Sequence, residues 1–175
     1  AFIPGMFRGE DGGERTDEAF VQVLDGATGN SWYHRYPVQD FHAASGRFDV
    51  RVGPHRFTDQ GVQLRFPELR GDIEYTTGMD PWPVSWRKPG IMGWYAWMPA
   101  MECYHGVVSF GHDLRSSLAI DGVDTDFTGG RGYIEKDWGR AFPAVYIWMH
   151  SARFDDHPET ALVASVAIIP WLRSA

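Results

Sequence analysis

Between residues 130 and 143 the chain reads GRGYIEKDWGRAFP. Two carboxylates, Glu135 and Asp137, stand two positions apart, and Tyr133 stands two positions before the first. In an extended strand alternate residues share a face, so Tyr133, Glu135 and Asp137 point one way and Ile134, Lys136 and Trp138 the other. Acids at this spacing lie about 7 Å apart at their Cα atoms. Where such a face lines an aromatic cavity, desolvation and mutual repulsion raise the pKa of one carboxyl. An acid kept protonated near neutral pH is what general acid catalysis requires. Nearby aromatic faces stabilise a positive centre through their quadrupoles. That combination suits protonation of an alkene and retention of the carbocation that results. Each acid taken alone fits the plainer description better, as a turn former or a solvated partner of Lys or Arg worth little energy.

A second motif, MECYHG at 101–106, brings Glu102, Cys103 and His105 together in sequence. The seven histidines show neither an HxH nor an HExxH spacing, so no metal site is expected. His105 reads as a hydrogen-bonded wall residue, and Cys103 as a small core residue rather than a nucleophile. No GxSxG, phosphate-binding loop or GxGxxG is present, and GGRG at 129–132 reads as a turn because no helix follows it. No cofactor is therefore called for.

The elements that must position these groups are strands. Residues 2–7, the hairpin AFVQVLDGATGNSWYHRYPV, FDVRV (48–52), GVQLRF (61–66) and LRGDIEYTT (69–77) alternate or carry turn signals, with GPHRFTDQ read as a connection. Their recurrence at intervals of roughly 10–14 residues is that of an antiparallel barrel or sandwich. VQDFHAA (38–44) is the one helical candidate, about a turn long. DPWPVSWRKPGIMG (80–93) has three prolines and two glycines and cannot be a long strand. Beyond it WYAWMPAMECYHGVVSFGHDL, SSLAIDGVDTDF, the acidic motif, VYIWMHSARF and ALVASVAII read as further strands, with DDHPET as a hairpin loop.

Bulk composition agrees. With 175 residues there is enough chain for a real core, and 15% aromatics with 8 Trp favour a β-rich or aromatic-lined fold over a helical bundle. A net charge of −7 repels phosphate backbones, so nucleic acid is not an expected partner. One cysteine excludes an intrachain disulfide framework and suits a reducing, cytoplasmic setting. The longest apolar run, ALVASVAIIPWL, is too short to span a bilayer and contains proline. The chain opens on AFIPGMF and stops after VASVAIIPWLRSA, both of which look like cuts through structured sequence. The expectation is thus an all-β, antiparallel fold, incomplete as a fragment.

PWPVSWRKPGIMGWYAWMPAMECYHGVVS (81–109) and GRGYIEKDWGRAFPAVYIWMHS (130–151) resemble the tocopherol cyclase family, over essentially the whole chain. The resemblance implies a lipocalin-like architecture of two barrel-like halves: 1–78 as most of the first, 79–90 as a Pro-rich crossing, and 91–175 as the start of the second, or one continuous domain. It implies a cofactor-independent cyclase that closes a chromanol ring by protonating the prenyl tail of a prenylated quinol. GYIEKDWG also resembles the YHDHNWG-type motif of carotenoid hydratases, which places Glu135 on the acidic position; Ile134 and Lys136 depart from that pattern where it has His. Under this reading Glu135 is the proton donor and Asp137 orients it or tunes its pKa. Tyr133, Trp138 and Trp148 line the cation pocket, while Glu102 and His105 contact the ring hydroxyl. A small apolar prenylated substrate is the expected partner, with room for peripheral membrane contact. Two other functions compete: a non-enzymatic lipocalin-like carrier using the same cavity, and a carbohydrate-binding domain presenting Trp82, Trp86, Trp94 and Trp97.

Overall fold

A computed structural model of the chain describes residues 1–9, 17–99, 101–152 and 154–168. In chain order the strands are β1 (Phe2–Phe7), β2 (Glu18–Leu24), β3 (Ser31–Tyr36), β4 (Phe41–Ala43), β5 (Asp49–Val52), β6 (His55–Thr58) and β7 (Gly61–Arg65). They continue as β8 (Leu69–Tyr75), β9 (Cys103–Arg115), β10 (Ser117–Ile120), β11 (Val123–Asp126), β12 (Arg131–Gly139), β13 (Tyr146–Ser151) and β14 (Leu162–Ala167). The chain is all-β: 54% of the described residues lie in strands, the sheet curls as half of a barrel does, and no helix among them reaches seven residues. Two single turns of 3₁₀ helix, Val38–Asp40 and Gly93–Trp97, are the exceptions. None of the described helices is long and apolar enough to cross a membrane.

Contacts divide the chain into two units: Ala1–Tyr75 with Arg115–Thr128, and Thr76–Leu114 with Gly129–Ala175. The Pro-rich stretch falls inside the second unit, and the β10–β11 hairpin inside the first.

In the first unit β1, β2 and β3 form an antiparallel meander, with Val23 opposite both Phe2 and Trp32. β4 to β8 continue as a second meander, extended by β10 and β11. Alternation drives both. β2 buries Ala19, Val21 and Val23 and turns the residues between them outward, and β7 does the same with Val62 and Leu64. These residues, with Val52, Phe57, Phe66, Leu69, Ile73 and Leu118, make a continuous apolar core.

β6 corrects the sequence reading, which took its residues for a connection. Gly53, at a positive φ of 54°, closes a tight turn after β5 and leaves His55–Thr58 to pair back along it. The strand is cryptic because its outward position is Arg56, whose guanidinium forks onto Asp49 at 3.0 and 2.9 Å. VQDFHAA likewise yields one 3₁₀ turn and then the short β4, because the backbone of Phe41–Ala43 pairs with β5.

The second unit is built from two antiparallel pairs, β9 with β12 and β13 with β14. WYAW, expected as strand, instead forms the 3₁₀ turn Gly93–Trp97, and β9 begins only at Cys103. The apolar core is thin: Val107 is the one buried hydrophobic residue of this unit among those described, beside buried Ser109 and His112. Two bulges interrupt the β9–β12 ladder. Ser109 to Val107 spans two residues against the single step Ile134 to Glu135, and His112 to Ser109 spans three against the two steps from Gly132 to Ile134. The extra residues therefore sit on β9, and β12 keeps strict alternation.

Candidate active site

β12 carries the acids, and its unbroken alternation sets where they point. Tyr133 donates its hydroxyl to Glu135 Oε2 at 2.7 Å, so residues 133 and 135 share a face. Across the ladder Asp137 stands opposite His105 of β9, and the ring Nδ1 meets Asp137 Oδ1 at 2.7 Å. The other ring nitrogen of His105, Nε2, lies 3.6 Å from Glu135 Oε2. From β13, Trp148 donates its indole N–H to the same Oε2 at 3.0 Å. His150, two residues further along β13, stacks on Tyr133 with ring centroids 3.9 Å apart.

Trp138 stands on the other face of β12. It stacks on Tyr104 at 5.6 Å, with the Lys136 ammonium 4.5 Å from its ring centroid. A cavity of about 260 Å³ lies there, lined by Trp82, Ile91, Met92, Tyr104 and Trp138 among others. Trp138, expected in the cation pocket, is thus not brought to Glu135, because the ladder keeps regular register from Glu135 to Gly139 and alternation leaves Trp138 on the opposite face. Glu102 is not brought there either. Its backbone carbonyl accepts from Arg140 and Ala141, and among the described residues no hydrogen bond or ion pair ties its carboxylate to the acids. Gly139 fits this corner for a steric reason: its φ is +153°, and a Cβ would collide with the Glu102 carbonyl. Tyr133, Glu135, Asp137, His105 and Trp148 do converge. His150 joins them and was missed; the signal available was its two-residue spacing from Trp148 on one strand face.

The electrostatics divide the two carboxylates by task. Burial raises the Glu135 pKa, and the Asp137 charge adds to that, while the Tyr133 and Trp148 bonds and His105 oppose it. His105 is raised, first by its hydrogen bond to Asp137 and then by both nearby charges. Burial, with the bond to Glu135 second, raises Tyr133, which stays a hydroxyl donor at neutral pH. Burial and Asp137 also raise Cys103, so its thiol is not an activated nucleophile. His105, Glu135 and Asp137 offer potential ligand atoms within 4.8 Å of one another. Nδ1 of the His105 ring is already engaged by Asp137 Oδ1 at 2.7 Å.

Tyr133 OH and Trp148 N–H both donate to Oε2, so a proton on neutral Glu135 sits on Oε1. When that proton leaves, donors already in place meet the negative charge that develops.

Comparison with known proteins fits this geometry. The tocopherol cyclase-like family matches residues 56–172, well over half of the chain. The chain belongs to that family. The match takes in both β9 and β12, and with them every member of the acid cluster. No curated protein and no solved structure matches.

Proposed function

We propose that this tocopherol cyclase-like protein closes a chromanol-type ring by protonating the prenyl tail of a prenylated quinol, with Glu135 as the proton donor. The observation that carries this reading is the arrangement at Glu135: a half-buried carboxyl with a raised pKa, two donors on one of its oxygens, and His105 Nε2 3.6 Å from that oxygen. Protonation adds hydrogen to one alkene carbon and leaves a tertiary cation on its neighbour. Tyr133, Trp148 and His150 present aromatic faces beside the acid, suited to a cation before the hydroxyl oxygen traps it. Trp148 is 41% exposed, so an apolar substrate can reach this wall from outside. Asp137 acts on Glu135 through its charge and through its hold on His105 rather than by direct contact.

The test is turnover of a prenyl hydroquinone by the intact protein and by Glu135→Gln. The expected product has the mass of the substrate with one ring more, and the variant forms it at least ~10²-fold more slowly. Equal turnover by both rules out Glu135 as the acid. Recovery of the quinol unchanged, with only its affinity altered in the variant, establishes a carrier instead.

A further inference from the structure

Ring closure releases as well as consumes a proton, and the same strand pair holds a group placed to handle the second half. We propose that Glu135 and His105 share one exchangeable proton, and that His105, held by Asp137, takes up the proton released by the attacking hydroxyl and returns it to Glu135. This rests on the cyclase reading of the same site.

The reaction has a place for such an acceptor. Glu135 gives its proton to an alkene carbon; a C–H bond forms, the π bond breaks, and Glu135 becomes a carboxylate. The quinol oxygen then forms the C–O bond with the cation, and its O–H bond must break. The product is an isomer of the substrate, so the proton consumed and the proton released balance, and a base beside Glu135 can pass the one back as the other. No oxidant, reductant or co-reactant enters.

His105 is built for this transfer. Asp137 accepts from Nδ1 at 2.7 Å, which fixes the ring and leaves Nε2 as the nitrogen that gains and loses a proton. Nε2 is buried, has no hydrogen-bond partner among the described residues, and faces Glu135 Oε2 at 3.6 Å. That gap is a few tenths of an ångström longer than a hydrogen bond, and catalytic hydrogen bonds are often long before substrate binds. The ring's place is set on the backbone side too, where His105 N–H meets Met92 Sδ at 3.0 Å. The charged groups bearing on the ring are Asp137 and Glu135, both from β12; Lys136 between them is held over Trp138 on the opposite face. A static ion pair would need no empty nitrogen aimed at the acid. Two groups so close titrate as a unit, with one proton moving between them.

The decisive variant is His105→Gln, which keeps a neutral amide of similar reach and cannot carry the proton. With a prenyl hydroquinone, kcat is expected to fall about 10²-fold with KM within about threefold, and the wild-type bell-shaped pH profile should lose one limb. Asp137 is a positioning residue, so Asp137→Asn should move the same limb and Asp137→Glu should restore it. A full kcat and an unchanged profile in His105→Gln overturn the relay while leaving Glu135 as the acid; full activity in Glu135→Gln overturns the cyclase reading itself. A readout independent of turnover is NMR titration of the His105 ring nitrogens in the intact protein. Two coupled steps that collapse to one in Glu135→Gln are expected, and a single step unaffected by that substitution overturns the shared proton.

Discussion

His55 in the first unit and His105 in the second both lie on strands and both are held at Nδ1, yet their surroundings move their pKa values in opposite directions. Arg65 donates its backbone N–H to His55 Nδ1 at 3.1 Å, which makes that nitrogen an acceptor. Nε2 then carries the hydrogen and meets the Tyr36 hydroxyl at 2.7 Å, and Phe66 stacks on the ring at 3.9 Å. Burial pushes this ring down to about 4, with the positive groups His34 and Arg65 adding to the effect. His105 meets a carboxylate at each nitrogen and is raised. Burial penalises the charge on both rings. At His55 nothing at the ring nitrogens offsets burial, whereas at His105 the hydrogen bond to Asp137 outweighs it. The first ring belongs to a packed core and has no proton to give, whereas the second sits in a thinly packed unit where a proton can be exchanged.

This contrast can be broken most severely at Glu135. Glu135→Gln should cost about 10³ in kcat, equivalent to about 4 kcal/mol, and lower the His105 pKa because one of its two charges is gone. NMR titration of the ring alongside the kinetics checks both; an unmoved His105 pKa would mean that Asp137 alone sets it.

Acidification comes next. The unfolded chain takes protons on His55 near its ordinary pKa while the folded chain resists until about 4, so stability should fall as pH drops from about 6.5 to 4 and then level off. His112, also pushed down to about 4 by burial, acts in the same direction. Each ring contributes on the order of 1–3 kcal/mol by this linkage. His105 has the opposite sign. Its raised folded pKa gives stability that is complete below the unfolded value and is lost as pH rises through the folded one. Urea melts across pH should show the acid-side loss shrink in a His55→Phe variant, and the alkaline-side loss shrink in His105→Gln.

A smaller effect is expected for Tyr36→Phe, which leaves the His55 Nε2–H without its partner. About 1–3 kcal/mol of stability should go, with turnover retained. The mildest change is Lys136→Ala. It removes the ammonium over the exposed Trp138 ring, so no more than about 1 kcal/mol is lost, and kcat should hold because that face is turned away from Glu135. A large loss of activity there would place the reaction on the Trp138 face.

The acidic strand was legible in the sequence because alternation is local. Tyr133, Glu135 and Asp137 needed only a period of two to share a face, and the same rule put Trp138 opposite them. The β meanders of the first unit were legible for the same reason, wherever apolar and polar residues alternated cleanly. What escaped depended on register. His105 and Asp137 are 32 residues apart and meet only because two bulges on β9 set which residue faces which. His150 comes, beside the expected Trp148, from a further strand whose run Tyr146–Met149 is apolar in both directions, so its period says nothing about which side meets the acid. β6 escaped because a short strand carrying His, Arg and Thr gives no hydrophobic alternation, and His55 is buried through a network of partners rather than by being apolar.

The bond from Trp148 to Glu135 also has an optical side. An indole whose N–H points at a carboxyl oxygen 3.0 Å away experiences a different field when that carboxyl is neutral and when it is charged. The ultraviolet absorption and emission of Trp148 therefore follow the ionisation of the acid itself. Seven other tryptophans contribute background, but subtracting the spectrum of Trp148→Phe at each pH isolates the one signal. Glu135 thus has its own chromophore beside it, and its titration can be followed by light with no substrate present.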